Sequence, residues 1–291
     1  MRTDIERLVE AVAQRVQLRL VDELRSTPCT ATAEQCEGDG LCAARRAGDV
    51  EAIRQAGASR VGASPGVGSV RPDLAGMIDH TLLRPDTSRD DLRALCEDAR
   101  QYSFASVCVN SANVSFCKRL LGGSGVMTVA VVGFPLGAAS CESKAFETRQ
   151  AIRDGADEID MVLNIGALKS CDYRLVFEDI ASVVKAAGRH AVKVILETVA
   201  LERDEKVVAC ALSKAAGAAF VKTSTGFGGG GATLEDVRLM RQIVGDDIGV
   251  KASGGVHNAA EADAMVAAGA TRIGASASVA IVTGKQSDSN Y

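Results

Sequence analysis

Eight short apolar segments recur along this chain, each followed by a stretch whose polar residues return every third or fourth position. No other feature limits the available folds as much. The segments are residues 77–79, 104–109, 127–132, 158–163, 192–196, 220–223, 249–252 and 272–275. Short apolar runs alternating with helix-length segments predict βα units and a parallel sheet. The runs are apolar enough to be buried on both faces, as happens when crossover helices cover a parallel sheet. Eight such units in about 210 residues fit a closed (β/α)8 TIM barrel better than the alternative, an open doubly wound sheet.

The 291 residues are 47% hydrophobic, enough for one large domain and an appendage. A net charge of −4 supplies no basic field for nucleic acid or anionic lipid, so neither is expected as a partner. The longest apolar run, 126–139, is interrupted by Gly133 and Pro135 and falls short of the roughly 20 residues that span a bilayer. Asp4, Glu6 and Glu10 break up the amino-terminal apolar residues where a secretory signal would be continuous, which predicts a cytoplasmic protein. Nine scattered cysteines, several in strand-like runs such as Cys108, read as reduced thiols.

Residues 1–72 differ in texture from the rest and are read as an extension, with the barrel and its C-terminal tail occupying 73–291. Thr3-Asp4-Ile5-Glu6 has the form of a capping box, and Ile5, Val9, Val12, Val16 and Leu20 place an apolar stripe along a helix of about residues 4–24. A cysteine-containing segment (26–48), a short helical pattern (49–55) and a Gly/Ser/Pro-containing linker (57–72) follow. Cys29, Cys36 and Cys42 lack a recognised zinc spacing.

In such a barrel the chemistry lies at the carboxyl ends of the strands. Lys222 and Lys251 fall within or near those ends in the sixth and seventh segments, whereas Lys193 precedes Val194-Ile195-Leu196 and is expected near the opposite end as a structural residue. Neighbouring strands lie about 4.8 Å apart, so two inward-pointing lysines bring their ammonium groups together. Like charges about 6 Å apart repel by about 2 to 3 kcal/mol at an effective dielectric near 20, or about two pKa units. With desolvation added, one amine can become nucleophilic near neutral pH. Asp160, a carboxylate in mid-strand, needs cationic partners, and these lysines are the obvious ones. Two amines and a carboxylate in an apolar barrel can form an imine and move protons around it. The same residues also read as a buried ion pair that holds the barrel together.

Turns at 226–231, Ser253-Gly254-Gly255 and Gly274-Ala275-Ser276 expose backbone amides on one side of the barrel, which predicts a phosphate site. Tight βα turns also need glycine for steric reasons. The histidines His80, His190 and His257 have no metal-ligand spacing, and a metal-free site is expected.

Taken in order, the runs 78–83, 156–162, 194–198, 220–227, 249–256 and 274–276 resemble deoxyribose-phosphate aldolase, a class I aldolase family, over essentially the whole barrel. The resemblance implies reversible cleavage of 2-deoxy-D-ribose 5-phosphate to D-glyceraldehyde 3-phosphate and acetaldehyde. It makes Lys222 the Schiff-base lysine, has Lys251 lower its pKa, and gives Asp160 and Lys251 the proton transfers. Asp79 and Thr81 resemble the family's residues near the sugar hydroxyls, and Gly226, Gly254, Gly255 and Ser276 its phosphate cradle. Ala277 and Phe227 depart from relatives that carry a second serine and a lysine there. Tyr291 ends a polar tail and resembles a terminal tyrosine that assists proton transfer in some members; a frayed terminus is the alternative. Cys108 matches a cysteine through which some members are inactivated, or it is simply packed.

The helix at 4–24 resembles the short targeting helices that dock enzymes into bacterial microcompartments, which implies a shell protein as partner. Packing on its own barrel, or on another subunit of a homo-oligomer, is the competing expectation. For the barrel, isomerisation or decarboxylation at the same residues is a second enzymatic reading, and an inert binding scaffold a third.

Overall fold

The computed structural model describes residues 71–284. Eight parallel strands close into a barrel in sequence order: β1 (Ile78–Leu82), β2 (Ser106–Asn110), β3 (Met127–Val132), β4 (Glu158–Val162), β5 (Ala191–Ile195), β6 (Phe220–Lys222), β7 (Gly249–Ser253) and β8 (Arg272–Ala275). The last strand pairs with the first, with Asp79 in register with Gly274, so no edge remains open. Ten α-helices among the described residues accompany them: α1 (Pro72–Ala75), α2 (Arg89–Tyr102), α3 (Val114–Leu120), α4 (Cys141–Arg153), α5 (Ile165–Lys169), α6 (Tyr173–Ala187), α7 (Arg203–Ala215), α8 (Leu234–Val244), α9 (Ala259–Ala267) and α10 (Ser278–Thr283).

Local chemistry sets the helix ends. Ser88 accepts a hydrogen bond from the Asp91 amide while the Asp91 carboxylate accepts one from the Ser88 amide, a reciprocal cap that starts α2. Its buried face, Leu92, Leu95, Cys96 and Ala99, repeats at helical spacing. Asp172 caps α6 and Thr233 caps α8 with one bond each, accepting from the Leu175 and Asp236 amides. Between α4 and α6, Lys144 pairs with Asp179 at 2.5 Å, both fully buried, and its ammonium also donates to the carbonyl of Val162 at the end of β4.

Two sequence expectations shift. The first strand begins at Ile78 and runs on to Leu82, because its ladder to β2 continues through Thr81 and Leu82. Asp79 is therefore near its start and Thr81 near its carboxyl end. Pro72, assigned to the linker, instead occupies the first turn of α1, a position its fixed φ favours. Arg71 beside it pairs with Asp73 and Asp263. The amphipathic helix at 4–24, Cys29, Cys36, Cys42, the linker up to residue 70 and Tyr291 lie outside the described residues. No helix among the described residues is long and apolar enough to cross a membrane.

Candidate active site

Strand side chains alternate, so one face of each strand feeds the barrel interior. In an ordinary barrel bulky aliphatics fill that space; here seven charged groups share it. They are Asp79 of β1, Glu158 and Asp160 of β4, Lys193 of β5, Lys222 of β6, Lys251 of β7 and Arg272 of β8.

Asp160 is the hub. Its Oδ2 accepts hydrogen bonds from the Nζ of Lys222 and the Nζ of Lys251, each at 2.8 Å, and its Oδ1 accepts from Lys193 at 2.9 Å. Lys251 also reaches Asp79 Oδ2 at 2.5 Å. Asp79 Oδ1 in turn accepts from Ser106 at 2.6 Å and from Arg272 at 2.7 Å. Glu158 completes the cluster, accepting from Lys193 at 2.5 Å and from Arg272 at 3.3 Å. Lys222 and Lys251 are register partners on adjacent strands.

Four cations thus face three carboxylates in a space largely shielded from solvent. One cation is in excess, and Lys222 is held by a single carboxylate where Lys251 has two. The proton affinities follow that imbalance. Burial lowers the pKa of Lys222 most, Asp160 opposes it, and the Lys251 charge adds to the lowering. Burial also works against charge on Lys251, but Asp160 and Asp79 outweigh it and raise its pKa. For Asp160, burial favours the neutral acid, yet the charges of Lys193, Lys222 and Lys251 hold its pKa well below the ordinary value. Repulsion between the two lysines, expected to act together with desolvation, ranks below burial at Lys222.

A cavity of about 120 Å³ opens at the carboxyl ends of the strands. Lys222 is in its wall, together with Thr81, Gly226, Gly254, Gly255 and Ser276. Gly254 and Gly255 both have positive φ, which turns the chain sharply after β7. At Gly274 the constraint is room: an added Cβ would lie 2.9 Å from Lys251 Cε and closer still to Ser253 Oγ. Its missing side chain is the channel through which the Lys251 stem passes.

Other expected residues sit elsewhere. Asp160 and Lys251 lie behind Lys222, off the cavity wall. Asp79, expected near sugar hydroxyls, is fully buried and tied to Lys251, Arg272 and Ser106, because it starts its strand instead of ending it. Lys193, expected apart from the site, joins it: it is in register with Asp160, and its side chain points the same way. Cys108 packs with Leu83, Val129, Val131 and Phe134, and burial raises its thiol pKa. Glu158, Arg272 and Ser106 were missed altogether. Glu158 lies two residues before Asp160 and therefore on the same strand face, a signal the sequence did carry. Among the described residues no group of His, Cys, Asp and Glu side chains is arranged to hold a metal ion.

Comparison with known proteins agrees with this geometry. The chain is 58% identical over 222 residues to the deoxyribose-phosphate aldolase of Clostridium perfringens strain SM101, spanning 76% of this chain and 99% of that one. Deoxyribose-phosphate aldolase 1 of Bacillus licheniformis is 60% identical over 219 residues, 75% of this chain and 98% of the relative. Among solved structures, the tetrameric deoxyribose phosphate aldolase from Aeropyrum pernix superposes with a TM-score of 0.68 at 34% identity, covering 73% of this chain and 90% of that one. Residues 74–285 match the pattern of the DeoC/LacD family aldolases, and with relatives this similar spanning nearly their full length, the chain belongs to that family.

Proposed function

We propose that this chain is a deoxyribose-phosphate aldolase that cleaves 2-deoxy-D-ribose 5-phosphate reversibly through a Schiff base on Lys222. The observation that carries the reading is that Lys222 alone of the four interior cations lines the cavity, and its basicity is depressed. Relatives at 55 to 60% identity that carry this name support the substrate.

In the neutral form, Lys222 Nζ adds to the C1 carbonyl of the open-chain sugar, and loss of water gives an imine. Loss of the C3 hydroxyl proton then breaks the C2–C3 bond. Its electron pair moves into the protonated imine, leaving an enamine on Lys222 and free glyceraldehyde 3-phosphate. Protonation of the enamine at C2 and hydrolysis release acetaldehyde and restore the amine. In this reading Asp160 and Lys251 relay those protons, which their hydrogen bond to one another beside Lys222 supports. The chemistry needs no metal, and the interior carboxylates are already paired with ammonium or guanidinium groups.

Thr81 is suited to a sugar hydroxyl, and Gly226, Gly254, Gly255 and Ser276 to the phosphate. Tyr291 remains a candidate for assisting proton transfer. The residues before Arg71 form a separate extension in this reading, and the stripe from Ile5 to Leu20 docks on a microcompartment shell protein, or else on the barrel or a second subunit of a homo-oligomer.

Borohydride reduction in the presence of deoxyribose 5-phosphate should fix the two-carbon unit on Lys222, and Lys222→Leu should abolish both trapping and acetaldehyde release. Full turnover in Lys222→Leu would refute the assignment.

A further inference from the structure

Glu197 follows β5 and begins the turn 198–200, where it takes a left-handed backbone conformation (φ 56°) that a non-glycine residue adopts only at a cost. Its side chain is buried, 5% exposed. One carboxylate oxygen, Oε2, accepts two hydrogen bonds from a single residue: the Thr225 amide at 3.1 Å and the Thr225 hydroxyl in a short contact. That hydroxyl in turn accepts from the Phe227 amide at 2.9 Å. The other oxygen, Oε1, is buried without a hydrogen-bond partner among the described residues. It faces Gly228, where an added Cβ would come within 2.9 Å of it.

Thr225 and Gly226 line the cavity; Glu197 does not. A carboxylate is the wrong charge to touch a phosphoryl group, so whatever it does there it does through the loop. Its partners fix three successive elements of that loop: the Thr225 amide, the Thr225 hydroxyl and, through the hydroxyl, the Phe227 amide. The β5–β6 ladder continues on either side, with Leu196 donating to the Lys222 carbonyl and Thr198 to the Thr223 carbonyl. The carboxylate is therefore anchored to the strand that carries the nucleophile.

We propose that Glu197 is a positioning residue that sets affinity for the phosphorylated end of the substrate by clamping the loop at 225–228 from behind. The inference rests on the sugar-phosphate reading above and adds a specificity determinant to it.

The test compares wild type, Glu197→Ala, Glu197→Gln and Gly228→Ala with deoxyribose 5-phosphate, with unphosphorylated deoxyribose, and with inorganic phosphate as an inhibitor. Glu197→Ala removes the clamp, and Gly228→Ala pushes it aside from the opposite face without requiring a strained backbone. Both should raise KM for deoxyribose 5-phosphate about tenfold, the scale of one charge-assisted hydrogen bond, and weaken phosphate inhibition by a similar factor. Turnover at saturation should stay within about twofold, and kcat/KM for unphosphorylated deoxyribose should not change. Glu197→Gln keeps an oxygen for Thr225 and should recover most of the loss.

Equal loss on both sugars, a fall in kcat at constant KM, or a glutamine variant as impaired as alanine would each overturn the clamp. Should Glu197→Ala fail to fold, Gly228→Ala decides alone. Absence of deoxyribose 5-phosphate cleavage by the wild type would count against the proposed function instead, and inorganic phosphate binding in the two variants would still judge the clamp.

Discussion

Replacing Lys251 with methionine tests the charge imbalance directly. The two ammonium nitrogens each lie 2.8 Å from Asp160 Oδ2, so they are separated by about 5 Å. Unit charges at that distance interact by about 3 kcal/mol at an effective dielectric near 20, about two pKa units. With Lys251 gone, Lys193, Lys222 and Arg272 balance Asp79, Glu158 and Asp160, and the like-charge part of the pressure on Lys222 to lose its proton is removed while burial still acts on it. The fold should tolerate the change: Asp79 keeps Arg272 and Ser106, and Asp160 keeps Lys193 and Lys222. The sign follows from the amine being reactive only when neutral. Raising the Lys222 pKa moves the acid limb of the kcat/KM profile up by about two pH units. At pH 7 the neutral fraction then falls about 100-fold, and the deficit narrows as pH rises. The assay is acetaldehyde release from deoxyribose 5-phosphate between pH 5 and 10, with circular dichroism to verify folding. An acid limb that stays where it is in wild type, with activity depressed equally at every pH, would refute the electrostatic argument and leave Lys251 only a proton carrier.

Lys144→Met should strand Asp179, fully buried with its pKa already raised by burial, and cost about 3 to 5 kcal/mol. At about 2 to 4 °C per kcal/mol the melting temperature should fall by about 6 to 20 °C, and Lys144→Met with Asp179→Leu should recover much of it. Deleting residues 1 to about 60 should leave kcat with deoxyribose 5-phosphate largely unchanged while altering location or assembly, as judged by cell fractionation and sedimentation; a collapse in kcat would count against a separate extension.

All eight strand segments were legible in the sequence, because two-sided burial leaves a compact apolar run that punctuating glycines and helix caps then bound. Lys222, Lys251 and Asp160 were legible because a charge in such a run has no cheap explanation. What escaped was which charges share a partner. Arg272 meets Asp79 across 193 positions of sequence, and only closure of β8 onto β1 brings them together. Lys193 was misplaced for a related reason: its position before an aliphatic run suggested the far end of the barrel, but its register with Asp160 brings its ammonium within reach of the hub. Asp79 was placed at the mouth of its strand because the first apolar segment was ended there, three residues before the ladder to β2 stops at Leu82. Glu197 gave no signal, since its role depends on a left-handed turn and a neighbouring loop.

The closing contact between the first strand and the last has a consequence for how this protein is made. Asp79 is among the earliest barrel residues to leave the ribosome, and its two nearest cationic partners, Lys251 and Arg272, are among the latest. A nascent chain halted before them would have to keep that carboxylate in water, so the interior cannot dry out quarter by quarter. Half-barrels recombined from other sources would inherit the same debt unless both halves of the charge set travelled together.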